Sequence, residues 1–219
     1  MRADLAGLID HTLLKPNTTR GDVEKLCQEA VQHGFYSVCV NPAFVACCVE
    51  MLRGTGVHVC TVVGFPLGAN TPEVKAYEAS VAKADGASEV DMVINIGALR
   101  GGARDYCLQD IRTVVDACHP EVLLKVILET ALLTDEEIVL GCEVAQEAGA
   151  DYVKTSTGFS TRGADASDIA LMRRVVGPDM GVKASGGVGN SSRADLMVAM
   201  GATRIGASAS MKIVKGGSS

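Results

Sequence analysis

The stretch that decides the fold is TDEEIVLGCEVAQEAGADYVKTS, residues 134–156. Thr134, followed three residues later by Glu137, forms a capping box, which is the usual signal for the start of a helix. Gly149 marks the end of that helix, because glycine readily adopts the left-handed conformation of a C-terminal cap. The run DYVKTS follows at once and is typical of a buried strand. A helix that leads directly into a strand is the repeating unit of an α/β fold.

The same alternation of helical and strand-like runs continues along the whole chain. Amphipathic segments such as DVEKLCQEAVQHG (22–34) and TPEVKAYEASVAKADG (71–86) separate the strands. Eight strands and about eight helices in 219 residues predict a (β/α)8 TIM barrel, with residues 1–219 as a single catalytic domain. The predicted strands are GLIDHTLL (7–14), YSVCVN (36–41), VHVCTVVGFP (57–66), SEVDMVIN (88–95), LLKVILE (123–129), DYVKTS (151–156), GVKASGG (181–187) and TRIGAS (203–208).

An open, doubly wound sheet is the alternative α/β fold. It normally has fewer strands, and it carries a glycine-rich loop after its first strand. Here the first strand runs into LLKPNTT (13–19), which contains no glycine, and no linker or low-complexity stretch divides the chain. The closed barrel is therefore favoured.

A weak internal repeat places four unusual residues at equivalent positions. Four predicted helices end at a glycine shortly before a strand, at Gly34, Gly86, Gly149 and Gly201. The residues five positions after these glycines lie on strands 2, 4, 6 and 8 and are Cys39, Asp91, Lys154 and Gly206. Alternate strands of a TIM barrel supply the four side chains of one interior layer, so the equal offset predicts that these positions share a layer. A thiol, a carboxylate and an amine are unusual core residues, which makes this layer a candidate site for chemistry.

Lys154 and Lys183 each lie in a short strand between small or apolar neighbours, on the adjacent strands 6 and 7. An isolated lysine at a strand end would extend into solvent, whereas two such neighbours favour a shared site. An amine must be neutral to attack a carbonyl, but the ordinary pKa of lysine is about 10.4. A second ammonium about 5 Å away opposes protonation by roughly 3 kcal/mol at an effective dielectric of about 20, or about two pKa units. Burial acts in the same direction. The pair predicts Schiff-base chemistry and leaves open which lysine is the nucleophile.

Schiff-base chemistry also requires a group that moves protons. Asp91, in the apolar strand EVDMVIN and at the same offset as Lys154, is the predicted proton carrier. The alternative is a structural carboxylate that pairs with Lys125 or caps a loop. Asp10 and Glu129 also lie near strand ends, where they either balance the lysine charges or take part in the chemistry.

The last two strands predict a phosphate site. Strand 7 runs into SGGVG (185–189) and strand 8 into GASAS (206–210). Backbone N–H groups at glycine turns and helix N-termini bind phosphate, and in this fold the site commonly follows strands 7 and 8. Ordinary turns are the alternative for such glycines. The candidate phosphate-binding residues, including two from the loop after strand 6, are Thr157, Gly158, Gly186, Gly187, Gly206 and Ser208.

Composition excludes several other classes of function. The formal charge is −6 and the basic residues are scattered, so neither nucleic acid nor an acidic membrane is an expected partner. No apolar run reaches the ~20 residues that span a bilayer. The eight cysteines form no CxxC motif, which indicates reduced thiols and a cytoplasmic protein. The four histidines are scattered, so we expect no metal site and no cofactor.

Together these residues resemble the deoxyribose-phosphate aldolases, which are class I aldolases on a (β/α)8 barrel. The resemblance covers nearly the whole chain, and the ordered set of segments is highly specific although no single segment is decisive. The segments are IDHTLLKP (9–16), VCVNP (38–42), VVGFPLG (62–68), EVDMVINIGAL (89–99), LKVILET (124–130), DYVKTSTGF (151–159), VKASGGV (182–188) and RIGAS (204–208).

The resemblance implies a lyase of carbohydrate degradation that reversibly cleaves 2-deoxy-D-ribose 5-phosphate to D-glyceraldehyde 3-phosphate and acetaldehyde. It implies a Schiff base on Lys154, a perturbing and proton-transfer role for Lys183, and proton transfer through Asp91. It further implies that Asp10 and Lys125 are polar supports of the cluster. We also expect a homo-oligomer, either a dimer or a tetramer.

The resemblance also places Cys39 near the aldehyde pocket. Some related enzymes carry a basic residue in the loops after strands 6 and 7, where this chain has Phe159 and Gly189. Phosphate binding is therefore expected to depend on backbone amides and Ser208. Some also carry a C-terminal tyrosine, whereas this chain ends in KIVKGGSS.

Three other functions remain as alternatives. A metal-dependent aldolase would need a cluster of His, Asp and Glu ligands. A phosphosugar isomerase on the same barrel would not need two lysines in the barrel. A phosphometabolite-binding protein without catalysis would keep the glycine loops and would respond to ligand even after Lys154→Met.

Overall fold

The structure, a computed structural model, describes residues 2–216, so residue 1 and residues 217–219 of the predicted domain lie outside the described part. Eight parallel strands form a closed barrel in which each strand pairs with the next in chain order and the last pairs with the first. This confirms the predicted (β/α)8 fold. The strands are β1 (Ile9–Leu13), β2 (Ser37–Val40), β3 (His58–Val63), β4 (Glu89–Val93), β5 (Leu123–Ile127), β6 (Tyr152–Lys154), β7 (Gly181–Ser185) and β8 (Arg204–Ala207).

Helices surround the barrel, and there are slightly more of them within residues 2–216 than the sequence predicts. The segment between β4 and β5 forms two helices, because the Asn95 side chain caps a separate five-residue helix by accepting a hydrogen bond from the Ala98 N–H at 3.0 Å. Short 3-10 turns span Pro42–Phe44 and Thr130–Leu132. The α-helices are α1 (Ala3–Ala6), α2 (Arg20–His33), α3 (Val45–Leu52), α4 (Pro72–Ala84), α5 (Ile96–Arg100), α6 (Arg104–Cys118), α7 (Asp135–Ala148), α8 (Ala166–Val176), α9 (Ser191–Ala199) and α10 (Ser210–Lys215).

The start of α7 has the predicted capping box. The Thr134 hydroxyl accepts a hydrogen bond from the Glu137 N–H at 3.3 Å, and the Glu137 carboxylate accepts one from the Thr134 N–H at 2.8 Å. Helix α2 begins with the same arrangement built from Thr19 and Asp22, which the sequence patterns did not single out. The four glycines of the repeat all have positive φ, as a left-handed cap requires: Gly34 (66°), Gly86 (95°), Gly149 (88°) and Gly201 (111°).

Successive residues of each strand point alternately to the helices and to the barrel interior. On β4, Val90 and Met92 lie in the large hydrophobic core between barrel and helices. Glu89 and Asp91, one position away from them, form ion pairs with Lys125 inside the barrel. The barrel interior is therefore the polar region of this molecule, and the packing of its outer face against the helices supplies most of its apolar core.

Candidate active site

A buried network of charged side chains fills the interior of the barrel. Each member is at most 3% exposed. Four are cations and three are carboxylates, so the fully ionised network carries one excess positive charge. We call this network the ionic cluster; its members are Lys125, Lys154, Lys183, Arg204, Asp10, Glu89 and Asp91.

Asp91 lies at the centre of the ionic cluster. Its Oδ2 accepts hydrogen bonds from the Nζ atoms of Lys154 and Lys183, each at 2.7 Å, so the two nitrogens are at most twice that distance, 5.4 Å, apart. Its Oδ1 accepts a further hydrogen bond from Lys125 Nζ at 2.9 Å. Burial alone would raise the pKa of Asp91, but the charges of Lys125, Lys154 and Lys183 outweigh it and hold that pKa well below the usual range. The predicted proximity of the two lysines is confirmed, with an ionised carboxylate between them.

The surroundings of Lys154 and Lys183 differ. Lys183 forms hydrogen bonds with two carboxylates, those of Asp10 and Asp91. Burial alone would lower the pKa of Lys183, but these two negative charges outweigh it and raise the pKa above its ordinary value. Lys154 has one carboxylate partner in the described part of the chain, Asp91, and it lines the cavity at the mouth of the barrel whereas Lys183 does not. The geometry thus separates a lysine that is held by two carboxylates from one that a ligand can reach.

The lower part of the ionic cluster is closed by two residues that the sequence patterns did not single out. Glu89 accepts a hydrogen bond from Lys125 at 2.6 Å and one from Arg204 at 2.9 Å. The Arg204 guanidinium also binds Asp10 at 2.9 Å. Its Cζ atom lies 3.5 Å from the centre of the Tyr36 ring, within range of a cation–π contact.

The sequence did contain a signal for both missed residues. Glu89 lies two positions before Asp91, and Arg204 lies two positions before Gly206. Residues two apart on a strand face the same side. The prediction that Asp91 and Gly206 face the interior therefore implies that Glu89 and Arg204 do so too, one layer below. The position of Gly206 itself is explained by crowding, because a Cβ atom there would lie 3.0 Å from Lys183 Cε.

A cavity of about 470 Å³ lies above the ionic cluster, at the carboxyl ends of the strands. This is the face on which TIM barrels carry their active sites. Lys154 forms part of its wall, beside residues of the loops after β1, β6, β7 and β8. All six residues predicted for phosphate binding line this cavity: Thr157, Gly158, Gly186, Gly187, Gly206 and Ser208.

Three other candidate residues do not line the cavity. Asp10 and Lys125 are completely buried and contact the other charged groups of the ionic cluster. Cys39 is also completely buried, in a small apolar group with Cys60 and Leu14. Asp10 and Lys125 are thus placed as supports of the ionic cluster, and Cys39 lies behind the cavity wall; whether any of the three takes part in substrate binding stays a prediction.

Glu129, which the sequence placed near a strand end, holds the loop after β6. Its carboxylate accepts hydrogen bonds from the Thr157 hydroxyl and, at 3.3 Å, from the Thr157 N–H. Glu129 has a left-handed backbone with φ of 60°, a conformation that costs a non-glycine residue on the order of 1–3 kcal/mol. The Thr157 hydroxyl in turn accepts from the Phe159 N–H at 3.1 Å. These contacts fix one wall of the cavity.

The glycine turns after β7 and β8 present unpaired backbone donors. Within residues 2–216, the N–H groups of Gly187 and Ser208 donate to no protein acceptor. Gly186 and Gly187 have φ of 78° and 73°, and a Cβ atom on the nearby Gly163 would lie 2.1 Å from the Gly186 carbonyl oxygen. The turn therefore requires glycines and leaves its donors available, which agrees with the predicted anion site.

Other features of the described part of the chain do not indicate a second active site. A surface groove of about 590 Å³ next to α2 is lined by Cys27, Val31 and Met51 among others, and none of the ionic cluster reaches it. All eight cysteines are free thiols. No helix within residues 2–216 has the length and apolar character needed to cross a membrane.

Comparisons with known proteins agree with the resemblance. The sequence profile of the DeoC/LacD family aldolases matches residues 5–216. The deoxyribose-phosphate aldolase of Enterococcus faecalis is 62% identical over 213 residues, which cover 97% of each chain. That of a Geobacillus species is 58% identical over 216 residues, covering 99% of this chain and 97% of the relative. A tetrameric deoxyribose phosphate aldolase from Aeropyrum pernix superimposes with a TM-score of 0.91 at 36% identity, covering 97% of this chain and 90% of that one. The chain therefore belongs to the DeoC/LacD family of aldolases.

Proposed function

We propose that this protein is a class I aldolase that reversibly cleaves 2-deoxy-D-ribose 5-phosphate to D-glyceraldehyde 3-phosphate and acetaldehyde. The observation that carries the proposal is the position of Lys154. Its amine opens onto the cavity, has a single carboxylate partner within residues 2–216, and lies within 5.4 Å of the ammonium group of Lys183. The activity of the curated relatives supports the same substrate.

In the proposed reaction, the neutral amine of Lys154 adds to the C1 aldehyde of the open-chain sugar, and loss of water gives a protonated imine. The imine withdraws electrons from C2. The C2–C3 bond therefore breaks when the C3 hydroxyl loses its proton, and D-glyceraldehyde 3-phosphate leaves. The remaining enamine takes up a proton at its terminal carbon, and hydrolysis then releases acetaldehyde and restores the amine. These steps use neither a metal nor a cofactor.

The charge balance of the ionic cluster supports Lys154 as the nucleophile. Loss of one proton would make the cluster neutral, with three cations and three carboxylates. Lys183 and Lys125 retain their protons, because their carboxylate partners outweigh the effect of burial and raise both pKa values. Lys154 is the remaining lysine of the cluster and the one that faces the cavity.

Asp91 is placed to move protons at the nitrogen of Lys154. Its Oδ2 is 2.7 Å from Lys154 Nζ, so a hydroxyl group formed on the adjacent carbon lies within reach of the same carboxylate. Its lowered pKa keeps it ionised, so Oδ2 is in the form that can take up a proton from this hydroxyl group. We assign Asp10 and Lys125 to holding Lys183 and Asp91 in position, and we propose that Cys39 affects the aldehyde end only through the packing behind the cavity wall.

The phosphate group is assigned to the glycine turns. Gly186, Gly187, Gly206 and Ser208 line the wall that follows β7 and β8, with Thr157 and Gly158 beside them. The unpaired N–H groups of Gly187 and Ser208 would donate to the phosphate oxygens.

The proposal is tested by following cleavage of 2-deoxy-D-ribose 5-phosphate in the presence of EDTA. We expect acetaldehyde and D-glyceraldehyde 3-phosphate in equal amounts, at a rate that EDTA does not change. The Lys154→Met variant is expected to fold and to form neither product. An isomerised sugar without acetaldehyde, or a rate that disappears with EDTA, would replace this function by an isomerase or by a metal-dependent aldolase.

We also propose that the protein is a cytoplasmic homo-oligomer, a dimer or a tetramer. One face of α4 exposes Val74, Tyr77 and Val81, of which Tyr77 is 72% exposed, and an apolar face of this kind favours association. The Aeropyrum pernix relative is a tetramer. The eight free thiols support a reducing compartment. Light scattering after gel filtration gives the subunit number, and a monomer at micromolar concentration would contradict the proposal.

A further inference from the structure

The charged residues of the cavity wall suit a site that takes a phosphate. Among residues 2–216, the lining contains two lysines, Lys15 and Lys154, and no carboxylate. In the proposed reaction the amine of Lys154 forms the imine at the aldehyde end of the substrate. Lys15 is therefore the one cation among the lining residues that remains for the phosphate end.

The other basic side chains near the glycine turns already have partners. Arg162 donates hydrogen bonds to Asp168 at 2.6 Å and to the Thr130 carbonyl at 3.2 Å. Arg193 donates to the Ala164 carbonyl at 2.7 Å. Neither arginine lines the cavity. The countercharge for a phosphate must therefore come from another part of the wall.

Lys15 lies on the loop after β1, on a backbone that is held in place. Its carbonyl accepts hydrogen bonds from the Thr18 N–H at 3.2 Å, the Thr18 hydroxyl at 2.8 Å and the Asn41 side chain at 3.4 Å. Because β1 pairs with β8 to close the barrel, this loop adjoins the turn that carries Ser208. The Lys15 side chain is exposed and forms no salt bridge within residues 2–216. Its charge is therefore available to a ligand.

We propose that Lys15 binds the phosphate group of the substrate from the loop after β1, with the turn after β8 between this loop and the glycine turn after β7. The proposal rests on the proposed function and names a residue that determines its preference for phosphorylated sugars. Backbone N–H groups of Gly187 and Ser208 supply neutral donors, and the ammonium group of Lys15 supplies the charge. Hydrogen bonds from a charged donor to phosphate are about twice as strong as those between neutral groups.

The test compares Lys15→Met with a matched control, Lys25→Met. The Lys25 side chain is 75% exposed on α2 and does not line the cavity. For each protein, kcat/KM is measured with 2-deoxy-D-ribose 5-phosphate and with unphosphorylated 2-deoxy-D-ribose. We expect the ratio of the two values to fall about 10- to 100-fold in Lys15→Met and to stay unchanged in Lys25→Met. Competitive inhibition by inorganic phosphate should weaken by a similar factor, and Lys15→Arg should restore most of the ratio.

Two results would overturn the assignment of Lys15. One is an unchanged ratio, and the other is an equal loss with both sugars, which would indicate a structural role of the loop. Reductive trapping with acetaldehyde, which carries no phosphate, separates this failure from a failure of the proposed function. A wild-type protein that forms no adduct refutes the aldolase itself, whereas a normal adduct with an unchanged ratio refutes only the role of Lys15.

Discussion

Replacement of Lys183 by methionine tests the idea that a fixed cation keeps the reacting amine neutral. The two nitrogens are at most 5.4 Å apart. At an effective dielectric of about 20 their repulsion is about 3 kcal/mol, which corresponds to about two pH units. Because Asp91 lies between them and remains when Lys183 is removed, this figure is an upper bound. We expect the acidic limb of the kcat/KM profile of Lys183→Met to move up by roughly one to two pH units.

The assay is the pH dependence of kcat/KM for cleavage of 2-deoxy-D-ribose 5-phosphate, measured from acidic to alkaline pH. At neutral pH the variant should be slower by about 10- to 100-fold, and much of this loss should be recovered at alkaline pH. Lys75→Met is a suitable control, since Lys75 is also a completely buried lysine in an ion pair, with Asp110 at 2.6 Å. Burial raises the pKa of Asp110, so this carboxyl group can take up a proton when its partner is removed.

The control is expected to lose stability without a shift of its pH profile. If Lys183→Met loses activity by the same factor at every pH, the repulsion argument is refuted, and Lys183 acts by position or by proton transfer alone. If both variants shift equally, the change reflects general loosening of the fold.

Three further predictions concern the buried charges. Asp91→Asn should lower kcat by about 10²- to 10⁴-fold and leave the inhibition constant of inorganic phosphate nearly unchanged; wild-type turnover would remove Asp91 from the mechanism. Asp110→Ala should lower the free energy of unfolding in urea by about 3–5 kcal/mol, because it leaves Lys75 buried without a partner, and a loss below 1 kcal/mol would contradict that. Burial would raise the pKa of Asp10, but Lys183, Lys125 and Arg204 outweigh it and lower the pKa, whereas in the unfolded chain it is about 3.9. The stability that Asp10 contributes is therefore present above about pH 4 and lost as the pH falls further. The free energy of unfolding of Asp10→Asn should fall less steeply than that of the wild type between about pH 5 and pH 3. An equal slope in both proteins would contradict this prediction.

The arrangement of strands could be predicted because the helix caps and the strand period are local. Thr134, Glu137 and Gly149 define one βα unit, and the repetition of that unit along the chain leads to the closed barrel. The equal offset of Asp91 and Lys154 from Gly86 and Gly149 likewise predicted that both face the barrel interior. The separate helix α5 was missed because its cap is formed by Asn95 at the end of a strand, where no capping box follows.

The details of the site depended on contacts across the barrel, which no local pattern contains. The sequence predicted two neighbouring lysines, but the position of Asp91 between their ammonium groups follows only when β4 faces β6 and β7. Lys15 was missed for the same reason, since the pairing of β1 with β8 brings its loop to the cavity. Interior positions can be read from strand period, whereas hydrogen-bond partners require the closed sheet.

The central claim is that Lys154 is the amine that forms the imine. The most direct measurement is mass spectrometry of the protein after incubation with acetaldehyde and borohydride, followed by digestion and assignment of the modified peptide. We predict a single reduced adduct, one ethyl group on Lys154, and none in the Lys154→Met variant. An adduct on Lys183 or Lys125, or a protein that gains no mass, would contradict the account.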